Sequence, residues 1–210
     1  MNELAIVQQE IVACTRCPRL RDHCRHIAQV KRRAYLDHEY WGRPVPSCGD
    51  PQARVLILGL APGAHGANRT GRMFTGDKSG EFLFRALHQT GFSSADGSVL
   101  KDVYITASAH CAPPDNKPRR EELHNCRPYL ERELALLENL RVVVALGRIA
   151  FDTYLSIVKQ RRDFGHNVVH HLKPILIASY HPSQQNTSTG KLTAQMLREV
   201  FEQARNLAND

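Results

Sequence analysis

The chain has no apolar run that approaches the roughly 18 residues a membrane span requires, so no membrane-embedded role is expected of it. Its first residues, M-N-E-L-A-I-V-Q-Q-E, lack a basic segment followed by an apolar one. A secretory signal therefore has no basis, and a cytoplasmic protein is expected. No internal repeat, low-complexity stretch or long linker divides the sequence, and its 210 residues suit one domain over 1–210 with a substantial core. Carboxylates are also in deficit: 21 Asp and Glu face 28 Lys and Arg, a formal charge of +7. That balance favours a polyanionic partner, nucleic acid or an anionic surface.

Four short apolar runs have strand character: Arg54–Leu60, Val103–Ser108, Arg141–Gly147 and Pro174–Tyr180. Their near-continuous Val, Ile, Leu and Ala predict strands buried on both faces, hence a parallel sheet. Helical patterns lie between them at Ser79–Thr90, Arg119–Leu137 and Arg148–Lys159, with a last helix at Leu192–Leu207. Two more helices precede the strands, at Glu3–Ala13 and Arg19–Arg33, followed by an irregular connector, Tyr40-Trp41-Gly42-Arg43-Pro44-Val45-Pro46. This alternation predicts an α/β fold, a three-layer α/β/α sandwich on a mainly parallel four-stranded sheet. Ligands of such folds gather at the C-terminal ends of strands.

One such end leads into the longest loop, Gly59 to Gly80, which contains six glycines and a single carboxylate, Asp77. Its second half, G-R-M-F-T-G-D-K-S, nearly matches the phosphate loop G-x4-G-K-[ST]. Asp77 is inserted before the lysine, where it would repel β- and γ-phosphates, and the nearest strand ends well before Gly71. Both defects exclude nucleoside triphosphate binding. A carboxylate there suits a cation or developing positive charge. The last strand runs directly into H-P-S-Q-Q-N-T-S-T-G at 181–190, which puts His181 at a strand's C-terminal edge. His65, His110, His170 and His171 have no comparable signal and read as ordinary surface or core residues.

Six cysteines in an intracellular chain point to metal or redox chemistry rather than disulfides. Cys14 and Cys17 form C-x2-C, and Cys111 and Cys126 form C-x14-C. Four thiolates suit zinc or an iron–sulfur cluster. Cys14, Cys17, Cys24 and Cys48 form a competing compact set, and buried thiols without metal are a third reading. Spacing leaves all three open.

Three segments together resemble the uracil-DNA glycosylase superfamily, in particular family 5, the type B iron–sulfur enzymes of bacteria and archaea. They are G-L-A-P-G-A-H-G-A-N-R-T-G-R-M-F-T-G-D at 59–77, C-A-P-P-D-N-K-P at 111–118 and H-P-S-Q-Q-N-T-S-T-G at 181–190. The Y-W-G-R-P-V-P connector at 40–46 is similar as well. The resemblance implies a structural [4Fe–4S] cluster on Cys14, Cys17, Cys111 and Cys126, with Cys24 and Cys48 incidental. It implies a monomer that removes uracil from DNA, double-stranded and also single-stranded, on the prokaryotic nucleoid.

It also implies roles for individual residues. The nucleotide is flipped out of the duplex, and Phe74 stacks on its base in a pocket formed by Gly59, Leu60, Ala61, Pro62, Gly63 and Ala107. Asp77 stabilises the sugar cation or activates water, Asn116 polarises the base or orients water, and His181 donates toward the departing base. Asn68, Arg69 and Arg72 hold flanking phosphates, while Ser183, Gln184 and Asn186 enter the minor groove. Other branches carry a polar residue at the position of Leu60 or Ala61 and an asparagine at that of Ala107. Apolar residues there imply weaker base discrimination, with hypoxanthine and ethenocytosine removed alongside uracil.

Overall fold

The structure is a computed structural model describing residues 3–209. Residues 1, 2 and 210, which belong to the expected 1–210 domain and to the N-terminal segment read above, lie outside the described residues. The strands are β1 (Cys48–Gly49), β2 (Val55–Gly59), β3 (Val103–Ala107), β4 (Val142–Leu146), β5 (Val168–His170) and β6 (Ile175–Ser179). They form one sheet in the order β1-β3-β2-β4-β6-β5. The inner four strands are parallel and coincide with the four apolar runs, each trimmed by a residue or two. Two short antiparallel strands, β1 on β3 and β5 on β6, extend the expected four-stranded sheet to six. Two or three half-exposed residues are too few to leave a periodic signature.

The helices are α1 (Glu3–Ala13), α2 (Pro18–Val30), α3 (Ala67–Thr70), α4 (Lys78–Gln89), α5 (Arg120–Leu136), α6 (Arg148–Ile157), α7 (Gln184–Ser188) and α8 (Ala194–Asn209). Alternation along the inner strands builds the layers. Val55, Ile57, Val103, Ile105, Val142 and Val144 face one core with Leu83 and Leu87 of α4 and Leu197 and Phe201 of α8. Leu56, Leu58, Tyr104, Val143 and Ala145 face the other, with Leu4 of α1, Leu130 of α5 and Phe151 and Tyr154 of α6. Each such side chain contributes about 1.5–3 kcal/mol by leaving water, so the sheet is fixed from both sides. Across the second core, the buried Glu133 carboxylate accepts from Tyr104 Oη at 3.2 Å and Thr106 Oγ1 at 2.7 Å. This ties α5 to β3.

Two one-turn helices, α3 and α7, were not expected. Their sequences, A-N-R-T and Q-Q-N-T-S, have no apolar stripe to announce a helix. Helix α2 stops at Val30 rather than continuing to Arg33, because Lys31 turns left-handed at φ 52°. A 3-10 turn, Arg33–Tyr35, follows. The connector is irregular, as expected, and is strapped to α3 by Trp41 N donating to Arg69 O and Gly42 N to Asn68 O.

Candidate active site

From β2 the chain winds to β3 on one side, and then through α5 to β4 on the other. The ends of β2 and β4 therefore flank a switch in winding direction, where parallel sheets leave a crevice. A cleft of about 810 Å³ opens there. The loop after β2 forms its floor and one wall, Ala107 at the end of β3 closes its base, and the turn at Asp115 and Asn116 lies on its rim. His181, Ser183 and Gln184, after β6, form the facing wall.

Asp77 is the N-cap of α4, its Oδ1 accepting from Gly80 N at 2.9 Å. The other oxygen lies against the loop backbone. A Cβ on Gly63 would stand 2.7 Å from Oδ2, and one on Gly66 would collide with the carboxylate outright. The G-A-H-G spacing thus makes room for a carboxylate above the loop. Burial raises the Asp77 pKa above the ordinary carboxylate value, and the backbone N–H groups of Gly80 and Ser79 oppose that rise. Gly66 was absent from the residues expected at the site, and its spacing from Gly63 was the available signal.

Phe74 adopts φ 53°, a strained conformation for an aromatic residue. Its ring covers Gly59, where a Cβ would come within 2.8 Å of it. The ring centroid is 6.1 Å from that of His181, tilted by 32°. Burial lowers the His181 pKa to about 4, so the imidazole is neutral at neutral pH. Gly147, just past β4, leaves space for it: a Cβ there would sit 3.1 Å from His181 Cβ. Asn116 is exposed on the rim at φ 56°, beside Asp115 at φ 54°. Leu60, Ala61, Pro62, Gly63 and Ala107 line the cleft, whereas Gly59 lies beneath Phe74.

The expected DNA contacts divide into two groups. Ser183 and Gln184 line the cleft. Asn68 is fully enclosed instead, its amide donating to Cys24 O and Ala64 O, which makes it a brace of the loop. Arg69 donates to His65 O at 2.9 Å and Gly76 O at 2.8 Å, and Arg72 donates to Gly97 O at 2.6 Å. Asn186 donates to His181 O at 2.9 Å, a bond that supports the wall from behind. Sequence reasoning missed Arg32, Tyr35 and His65, all of which line the cleft. The first two come from beyond α2, outside the motifs named above.

All six cysteines are free thiols. Cys14 and Cys17 lie at the α1–α2 junction, Cys111 after β3 and Cys126 on α5, and Cys17 shares one buried cluster with Cys111. Charge on Cys126 is felt by Cys111, and charges on Cys14 and Cys17 are felt by Cys126. Cys17, Cys111 and Cys126 are buried, and Asn125 Nδ2 donates to Cys17 Sγ at 3.5 Å. Burial pushes the Cys126 thiol up to about 12 and raises Cys17 as well. Among the described residues, no three of these groups converge on a single ion. Cys48 lies apart with Arg72 and Met73, so the competing N-terminal set is not assembled. Cys24, expected to be incidental, shares a hydrogen bond with Cys111.

Residues 46–205 match the family model described as Uracil DNA glycosylase superfamily. The chain is 49% identical over 220 residues to the type-5 uracil-DNA glycosylase of Thermus thermophilus, covering 99% of each chain. It is 47% identical to the type-5 enzyme of Mycobacterium leprae, covering 95% of this chain and 93% of the relative. With the type-5 enzyme of Pyrobaculum aerophilum it shares 45% identity over 92% of this chain and 88% of the relative. The chain belongs to the uracil DNA glycosylase superfamily. These relatives at 45–49% identity are all named type 5. Among the described residues no helix is long and apolar enough to cross a membrane.

Proposed function

We propose that residues 1–210 act as one monomeric domain, a uracil-DNA glycosylase that hydrolyses the N-glycosidic bond of uracil in DNA. One observation carries this reading: a half-buried carboxylate, Asp77, held by a helix N-terminus and two glycines in a cleft that a neutral His181 and the Phe74 ring also line. As the C1′–N bond breaks, positive charge grows on the sugar and negative charge on the base. Ionised Asp77 stabilises the sugar cation and takes a proton from the water that forms the new C1′–O bond. A neutral His181 donates an N–H to the departing base and holds its negative charge. Phe74 stacks on the flipped base, and Asn116 on the rim polarises the base or orients the water. Ser183 and Gln184 enter the minor groove, with Asn186 behind them, while Arg69 and Arg72 hold the loop that faces the phosphates.

The apolar lining at Leu60, Ala61 and Ala107 supports a broader range of bases, hypoxanthine and ethenocytosine included, because no fixed polar group there is left unpaired by the wrong base. The substrate is DNA, double-stranded or single-stranded, in the cytoplasm and at the nucleoid.

Cys14, Cys17, Cys111 and Cys126 fit a [4Fe–4S] cluster by their chemistry. They are four free thiols, three of them buried. Buried thiols with raised pKa values ionise only beside a compensating cation. When bound, the cluster supplies a cross-link between the α1–α2 junction and α5 and no redox step. Brown colour in purified protein, lost on Cys111→Ser, is the expected signature.

The deciding experiment is base release from matched single- and double-stranded oligonucleotides bearing uracil, hypoxanthine or ethenocytosine, with wild type and Asp77→Asn. Wild type is expected to release all three bases and Asp77→Asn almost none. Absence of uracil release by wild type would sink the enzymatic reading, and uracil-only activity would sink the broad range.

A further inference from the structure

The cations first expected to meet DNA phosphates are engaged inside the protein. Arg69 holds two carbonyls and lies 4.0 Å above the Tyr35 ring, and Arg72 holds Gly97 O. Arg32 is different: it is exposed, lines the cleft, and its guanidinium makes no hydrogen bond or ion pair among the described residues, its carbonyl alone accepting from Tyr35 N at 2.7 Å. Its backbone is nevertheless fixed. The 3-10 turn after it is pinned by the Arg69–Tyr35 stack, by Arg69 Nη1 against His38 Nδ1 at 3.0 Å, and by Lys31 Nζ on Leu36 O at 2.9 Å. His65, on the same side of the cleft, is held by the Tyr40 hydroxyl at 3.0 Å from Nδ1. Burial, and then the positive charges of Arg32 and Arg69, lower the His65 pKa below the ordinary histidine value. Asp115 is the carboxylate acting on His23. An unpaired cation on a fixed stretch of backbone, beside His65 at the lip of a nucleotide-sized cleft, lacks an anion.

We infer that Arg32 and the Tyr40-held His65 form a seat for one phosphodiester of the DNA strand, next to the extracted nucleotide. The inference rests on the glycosylase reading for the identity of the strand. A nucleotide drawn into the cleft leaves its neighbouring phosphates at the rim, and Arg32 stands free on this rim. Arg32 supplies the charge. In the tautomer where Tyr40 donates to Nδ1, the His65 proton is on Nε2, which supplies a neutral hydrogen bond. The wall opposite, at Ser183 and Gln184, is uncharged, and the other exposed cation lining the cleft is Lys78 at the start of α4.

The test is binding of a duplex carrying 2′-fluoro-2′-deoxyuridine, whose glycosidic bond resists cleavage, measured by fluorescence anisotropy at several salt concentrations. Arg32→Gln is expected to weaken binding about tenfold at moderate salt and to lower the slope of log K against log salt by about one. Arg32→Lys is expected to restore the slope. Replacing single phosphates by neutral methylphosphonates should weaken wild-type binding at one flanking position, and Arg32→Gln should be indifferent to that same replacement. His65→Ala and Tyr40→Phe are expected to weaken binding severalfold with the slope unchanged. An unchanged slope in Arg32→Gln, or sensitivity to the same methylphosphonate in both proteins, overturns the seat. Uracil release by wild type with no change in slope removes the seat and keeps the glycosylase. A changed slope in a protein that releases no uracil does the reverse.

Discussion

The two walls of the cleft are built on opposite principles. The loop from Gly59 to Gly80 is long, yet it is fastened throughout: Arg69 to His65 O and Gly76 O, Asn68 to Cys24 O, Asp77 to Gly80 N, and the Trp41 connector along α3. The loop after β6 is short and exposed. Its hydrogen bonds are largely its own, Asn186 to His181 O and Ser183 as N-cap of α7. Charge stabilisation is effective when the charged group is already in place before the reaction begins. A surface that follows DNA has no such requirement. The first wall is accordingly rigid where the carboxylate lies, and the second carries one fixed group, His181, on a loop that is otherwise free to conform.

Several substitutions would break or sharpen this contrast. The largest effect is expected from Asp77→Asn: uracil release should fall about 10²- to 10⁴-fold, with DNA affinity in an anisotropy titration nearly unchanged. His181→Ala should lower single-turnover release about 10²- to 10³-fold, the range for losing one donor to a developing anion. Gly66→Ala should cost on the order of 10²-fold, because its methyl group collides with the Asp77 carboxylate and displaces it. An unaltered rate in that variant would show that the rigid wall tolerates movement. Ser183→Ala, on the adaptable wall, removes only the cap of a five-residue helix. It should change rate or affinity no more than severalfold, roughly the 0.5–2 kcal/mol of an N-cap.

The pH profile gives a further test. Asp77 must be ionised, and its pKa is raised by burial, whereas His181 is already neutral above about 4. Release should rise with pH through the Asp77 pKa and then stay level, with no loss as pH passes the ordinary histidine range. A fall there would mean that an imidazolium is required. Stability should run the other way at Asp77. A carboxyl whose folded pKa exceeds its unfolded one stabilises the fold below the unfolded value and loses that contribution as pH rises through the folded value. Asp77→Asn should therefore melt no lower than wild type at neutral pH, and its small advantage should vanish in acid.

Much of this was legible in the sequence. The four inner strands are continuous apolar runs, because a strand covered by helices on both faces needs no polar side. The motifs at 59–77 and 181–190 follow two of those strands, so topology alone brought Asp77, Phe74 and His181 to one end of the sheet. The sequence could not show which polar groups were already engaged. Asn68, Arg69 and Arg72 look like free phosphate ligands in a glycine-rich loop, yet each is held by backbone carbonyls from other turns. Arg32 carries no motif and becomes a candidate only because α2 ends at the cleft. Local pattern determined strands, helices and motif order, since these depend on periodicity and on neighbours along the chain. Only the tertiary structure decided which side chains brace and which are available, because that depends on partners distant in sequence. The Asp77 carboxylate over Gly63 and Gly66, and Arg32 standing without an anion, are the two results of that decision that bear most on function.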